Sequence, residues 1–197
     1  MMPAPSTTAS HPGHAPRVER AALWANFIGY QAVWFCAVIA AAYGLAWPGA
    51  VACVAFVAWQ LGASRQRRIE TRLIAIALGC GLVLDGSLAA SGWIDYAASS
   101  VSVPPGGAPL WILSLWASFA LTVTQSLRYL QKSLWVAALF GVVGGPLAYW
   151  CASRAWSVVV FAAPQWHALG ALALGWGVAM PLLAGVARMD VRSRGGS

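Results

Sequence analysis

Between Leu73 and Trp93 the chain reads LIAIALGCGLVLDGSLAASGW, an apolar run with one full charge, Asp85, near its middle. A helix needs about 20 residues to cross the hydrocarbon core of a bilayer, and this run has that length. A carboxylate at that depth costs about 2.5–3.5 kcal/mol on insertion scales, so it faces a bundle interior or a cavity, not lipid. The rest of the chain must then supply a partly polar interior at the same height.

Composition points to the same solvent. The chain is 60% hydrophobic and 9% charged, with a mean hydropathy of +0.69, whereas a soluble domain carries about 25% charged residues. The twelve tryptophans suit interfacial belts or an interior lining. The net charge of +7 does not indicate nucleic acid, because the basic residues fall between apolar segments and form no single patch. Cys36, Cys53, Cys80 and Cys151 lie in or at the edge of apolar segments without CxxC spacing, and are expected as free thiols.

Residues 1–16, rich in Pro, Ser, Thr and Ala, are expected to be a disordered cytoplasmic tail. His11 and His14 on such a segment are too few for a metal site, so neither a metal nor a cofactor is expected. Residues 17–190 are expected to form one transmembrane domain, with 191–197 as a second cytoplasmic tail. Its spans are placed at about 23–47, 50–63, 73–93, 109–127, 134–152 and 166–187, with Trp47-Pro48-Gly49 as a tight turn. Arg17 and Arg20, the group Arg65 to Arg72, Arg128 with Lys132, and Arg188 to Arg194 then share one side, and only Arg154 lies on the other. That asymmetry places both termini in the cytoplasm and requires an even number of spans. The expected fold is an all-α polytopic transmembrane bundle of six helices. The external loop 94–108 contains Pro104-Pro105-Gly106-Gly107 and is expected to be irregular. The run Trp156 to Phe161 is too short to span, and is expected to lie in the interface or to dip back in.

Counting inward at 1.5 Å per residue sets Asp85 level with Trp34, Cys53, Ser114 to Trp116, Gly144-Gly145-Pro146 and Gly175-Trp176-Gly177. On the fourth segment Trp111, Ser114, Ser118, Thr122, Gln125 and Tyr129 recur every three or four residues, which predicts a polar stripe down one helix. Asn26, Tyr30 and Trp34 share a face of the first. Such groups need partners in hydrocarbon, so both faces should point inward. Ala137, Gly141 and Gly145 form a small-residue ridge for close helix packing. The candidate ligand-binding residues are Asp85, Trp34, Trp116, Trp176, Asn26 and Tyr149, with Gln125 and Arg128 as a second group at the inner end of the stripe.

Several of these residues carry a family resemblance. Asn26 and Trp34, Asp85 and Gly92, Pro109-Leu110-Trp111 with Trp116 and Phe119-Ala120, Gly145-Pro146-Leu147-Ala148-Tyr149, and Trp176 together resemble domain-of-unknown-function family 2878. The resemblance runs from Asn26 to Pro181. It implies a small multi-pass protein of the bacterial inner membrane, associated with lipid-modifying genes, and no established activity. There is no HExxH, GxSxG or P-loop, and Asp95 lies in the loop after the same helix as Asp85, so no catalytic residue is assigned. The expected function is binding or transport of a small amphipathic or lipid molecule in a cavity around Asp85. The alternative is a non-catalytic membrane subunit, partnering a lipid-modifying system. The expected partners are the bilayer, such a ligand or a membrane protein, and not nucleic acid.

Overall fold

Six helices account for most of the chain in the computed structural model, which describes residues 15–195. His11 and His14 lie outside the described residues, as do 196–197. The helices are α1 (Ala15–Ala42), α2 (Trp47–Ala63), α3 (Arg67–Ala90), α4 (Leu110–Ala120), α5 (Leu134–Trp156) and α6 (Trp166–Gly195). Within them Arg20–Ala42, Arg67–Ala90, Leu134–Trp156 and Trp166–Met189 are long and apolar enough to cross a membrane, while α2 has 17 residues and α4 only 11. Large apolar side chains such as Ile28, Val54, Val83, Leu139, Leu174 and Val178 are exposed around the bundle. An apolar jacket of that extent is a lipid-facing surface. This is a membrane protein.

Local chemistry sets the ends of the elements. The turn between α1 and α2 falls earlier than expected: Gly44 takes a positive φ of 76° while the Gly44 and Leu45 amides donate to Ala41 and Ala40 carbonyls. That is a glycine-terminated helix end, and Trp47-Pro48-Gly49 is instead the first turn of α2, where Pro48 lacks a donor that nothing would use. The Arg67 guanidinium donates to the Gly62 carbonyl at 3.0 Å, joining the end of α2 to the start of α3.

The fourth segment departs most from expectation. Its helix stops at Ala120, and 121–127 is a series of turns leading into a short 3-10 helix at Arg128–Lys132. The cause is the run Thr122-Val123-Thr124, whose branched side chains fit a helix poorly. The Thr122 hydroxyl donates to the Phe119 carbonyl at 2.7 Å and the Thr122 amide donates to the same carbonyl at 2.9 Å, which tightens the last turn. No continuous polar stripe results. Ser114 and Ser118 satisfy themselves on Leu110 and Ser114 carbonyls at 2.8 Å, and Tyr129 is half exposed. Short as it is, α4 is the core of the bundle: nine of its eleven residues are buried, against α1, α2 and α3.

The loops between helices pair with each other. β1 (Ile94–Tyr96) pairs antiparallel with β4 (Val159–Phe161), with Tyr96 opposite Val159. A tight hairpin pairs β2 (Ser102–Val103) with β3 (Ala108–Pro109) around Pro104 to Gly107. The loop expected to be irregular therefore contains three short strands, and the end of the run from Trp156 to Phe161 is the strand β4. His167, from the start of α6, stacks on Trp93 at a centroid distance of 5.4 Å.

α5 and α6 form the most extensive helix–helix contact among the described residues. The expected ridge is the reason: a Cβ on Gly141 would collide with the Trp176 carbonyl, and one on Gly145 with the Trp176 indole. Small residues let two backbones approach this closely.

Candidate functional site

Asp85 is fully buried. Burial follows from its place on α3, where Ile69, Leu73, Ala77, Gly81, Asp85 and Leu88 recur on the inner face. Three donors from three other elements converge on it. Tyr149 Oη of α5 donates to Oδ1 at 2.6 Å, Tyr96 Oη of β1 donates to Oδ1 at 2.8 Å, and Trp116 Nε1 of α4 donates to Oδ2 at 2.7 Å. Short bonds to a carboxyl group are the strong class. Burial pushes the Tyr96 hydroxyl well above its ordinary range, so it keeps the proton it donates. Asp85 thus ties α3, α4, α5 and the β1 loop together at one point, and its oxygens are occupied.

Behind that point lies a stack of indoles. Trp116 and Trp176 are parallel within 12° at a centroid distance of 4.1 Å. Gly81 of α3 backs the Trp116 ring and Gly145 of α5 backs the Trp176 ring, each so closely that a Cβ would collide with it. Phe119 meets Trp176 edge-on at 5.2 Å, and Tyr30 meets Phe119 at 5.7 Å. Offset and edge contacts of this kind favour a fixed arrangement of rings.

A cavity of about 140 Å³ opens beside the stack. Tyr30 and Trp34 of α1, Trp111 and Trp116 of α4, Gly144 and Tyr149 of α5, and Trp176 of α6 line it. Its wall is almost wholly aromatic and aliphatic. Trp176 Nε1 is buried near the Tyr149 hydroxyl without a hydrogen bond of proper geometry. Asp85 itself does not line the cavity; it holds Tyr149 and Trp116, which do.

The structure divides the expected residues into two groups. Asp85, Trp34, Trp116, Trp176 and Tyr149 surround or support the cavity. Asn26, Gln125 and Arg128 lie at the other end of α4, around the turns 121–127. There Asn26 Oδ1 accepts from the Ser126 hydroxyl at 2.8 Å. Gln125 sits within the turns and Arg128 opens the 3-10 helix one turn on, where its amide donates to the Gln125 carbonyl at 3.2 Å. Tyr96 escaped the sequence reading because a loop residue has no helical period to betray it. Gly81 escaped because it reads as one more small residue in an apolar run.

The family model described as protein of unknown function (DUF2878) matches residues 23–182. The chain belongs to the DUF2878 family. No curated protein and no solved structure matches it. The matched span of this DUF2878 protein contains the Asp85 cluster, the indole stack and every residue lining the cavity.

Proposed function

We propose that this DUF2878 protein is a multi-pass protein of the bacterial inner membrane that binds a small amphipathic or lipid molecule in the aromatic cavity beside Asp85. The cavity carries the reading. An apolar cavity of about 150 Å³ is enough to hold a benzene ring, so this one suits a ring or a short stretch of hydrocarbon chain, not a whole lipid. α1 and α5 both line the cavity and touch each other only sparsely, so a molecule dissolved in the bilayer would enter between them. Binding is the first step whether the molecule is held or carried across.

Six crossings are supported by where α4 is anchored. The Trp111 indole donates to the Ala97 carbonyl in the loop beyond α3, while Asn26, in the first half of α1, and Glu70, in the first turn of α3, bond to residues 121–126. The segment from Leu110 to Leu127 therefore connects the two ends of the bundle. Cytoplasmic termini are supported by the arginines at the α1, α3 and α6 ends. A fluorescent reporter that matures only in the cytoplasm should glow when fused after Ser197, and a periplasmic phosphatase inserted near Ser99 should be active. The reverse pattern would invert the topology.

Native mass spectrometry of the gently extracted protein tests the binding reading. The wild type should carry a small adduct, and Gly144→Leu should reduce its occupancy about tenfold, equivalent to 1.4 kcal/mol of lost affinity. Position 144 is apt because a Cβ there meets only the Phe140 ring, at 3.8 Å or more, and leucine favours a helix over glycine by about 1 kcal/mol. Equal adducts on both proteins, or none on either, would remove the binding role. A protein partner retained by both, with no adduct, would favour the subunit role.

A further inference from the structure

A second carboxylate lies buried at the opposite end of α4. Glu70 is 2% exposed, in the first turn of α3. Its Oε1 accepts from the Thr124 hydroxyl at 3.3 Å, and its Oε2 has no partner among the described residues. The Thr124 hydroxyl lies equally far, 3.3 Å, from the Leu121 carbonyl, and one hydrogen cannot serve both acceptors. The other donor at the Leu121 carbonyl is Asn26 Nδ2, at 3.4 Å. Both carboxylate oxygens, one carbonyl and one hydroxyl oxygen thus share a single hydroxyl hydrogen and one distant amide. A buried carboxylate so poorly compensated is costly. The α3 N-terminus offsets part of that cost. Arg67, Arg68 and Arg72 on the same helix are exposed and form no ion pair with it. What the cluster lacks is a positive charge with no hydrogen-bonding demands of its own.

We propose that Glu70, Thr124 and the Leu121 carbonyl bind a monovalent alkali cation of sodium size. Hard cations take oxygen ligands of this mixture, and carbonyls freed where a membrane helix unwinds are where transporters bind sodium. One carboxylate neutralises one charge. No three His, Cys, Asp or Glu side chains group together among the described residues, so a divalent ion would remain under-neutralised. The site is independent of the aromatic cavity: α3 places Glu70 fifteen residues, or about 22 Å, from Asp85.

The full-length protein in detergent provides the test, by thermal unfolding in sodium, potassium or choline chloride at equal ionic strength. Sodium at about ten times its dissociation constant should raise the wild-type Tm by about 4 °C over choline. Glu70→Gln should lose the sodium dependence while folding in choline, because its amide supplies the missing donor. Thr124→Val should weaken the dependence. Identical wild-type Tm values in all three salts would overturn the proposal. So would a Tm that rises on acidification but ignores the cation. Should Glu70→Gln not fold, saturable binding of radioactive sodium to the wild type decides: its absence overturns the site, and its loss in Thr124→Val supports it.

Discussion

Replacing Asp85 with alanine should cost about 3–5 kcal/mol and remove most of the folded protein from a detergent extract. The mechanism is the stranding of three donors at once: Tyr149 Oη, Tyr96 Oη and Trp116 Nε1 all end on this carboxyl group. Each buried donor left without a partner costs about 1–3 kcal/mol. Asp85→Asn should lose less, about 2 kcal/mol, because its amide oxygen can keep two donors while its amide nitrogen opposes the third. Tyr96→Phe should cost about 1 kcal/mol, since it removes a donor and leaves an acceptor that two others still serve. Thermal unfolding followed by size-exclusion chromatography would rank the three. A folded Asp85→Ala protein with an unchanged Tm would show that Asp85 is not the joint the geometry makes it.

Gly141→Val should be the second most damaging change, costing about 3 kcal/mol, the upper end for inserting atoms into a packed core. Its Cβ would land on the Trp176 carbonyl, and backbone cannot turn away as a side chain can. α5 and α6 would have to separate, and the indole stack that Trp176 completes would open with them. Gly170→Val is the control: it lies on α6 with no atom within 4 Å of a Cβ, so it should change Tm little. If the two variants unfold alike, the α5–α6 contact is looser than the geometry states. The same measurement separates packing from binding, because Gly144→Leu should keep the Tm and lose only the adduct.

Much of the architecture was legible in the chain before any coordinates. The low charge, the apolar run lengths and the single acid in Leu73 to Trp93 determine that helices cross a membrane and that Asp85 points inward. The Ala137, Gly141 and Gly145 ridge determines that another helix comes close. The grouping of Asp85 with Trp116 and Trp176 was also within reach, because depth along a helix is a count of residues. What the chain could not disclose is which groups meet across that depth. Hydropathy does not distinguish the helical 110–120 from the unwound 121–127, since both are apolar enough; the break comes from hydroxyls bonding to nearby carbonyls. Tyr96 reaches Asp85 only because β1 pairs with β4, a contact between loops more than sixty residues apart in the chain. Glu70 reads as one acid among exposed arginines until the fold turns it against Thr124. Local chemistry determines where helices start, stop and show a small or polar face. Which buried donor finds which buried acceptor is decided only when separate elements are packed, because no single segment contains both ends of the bond.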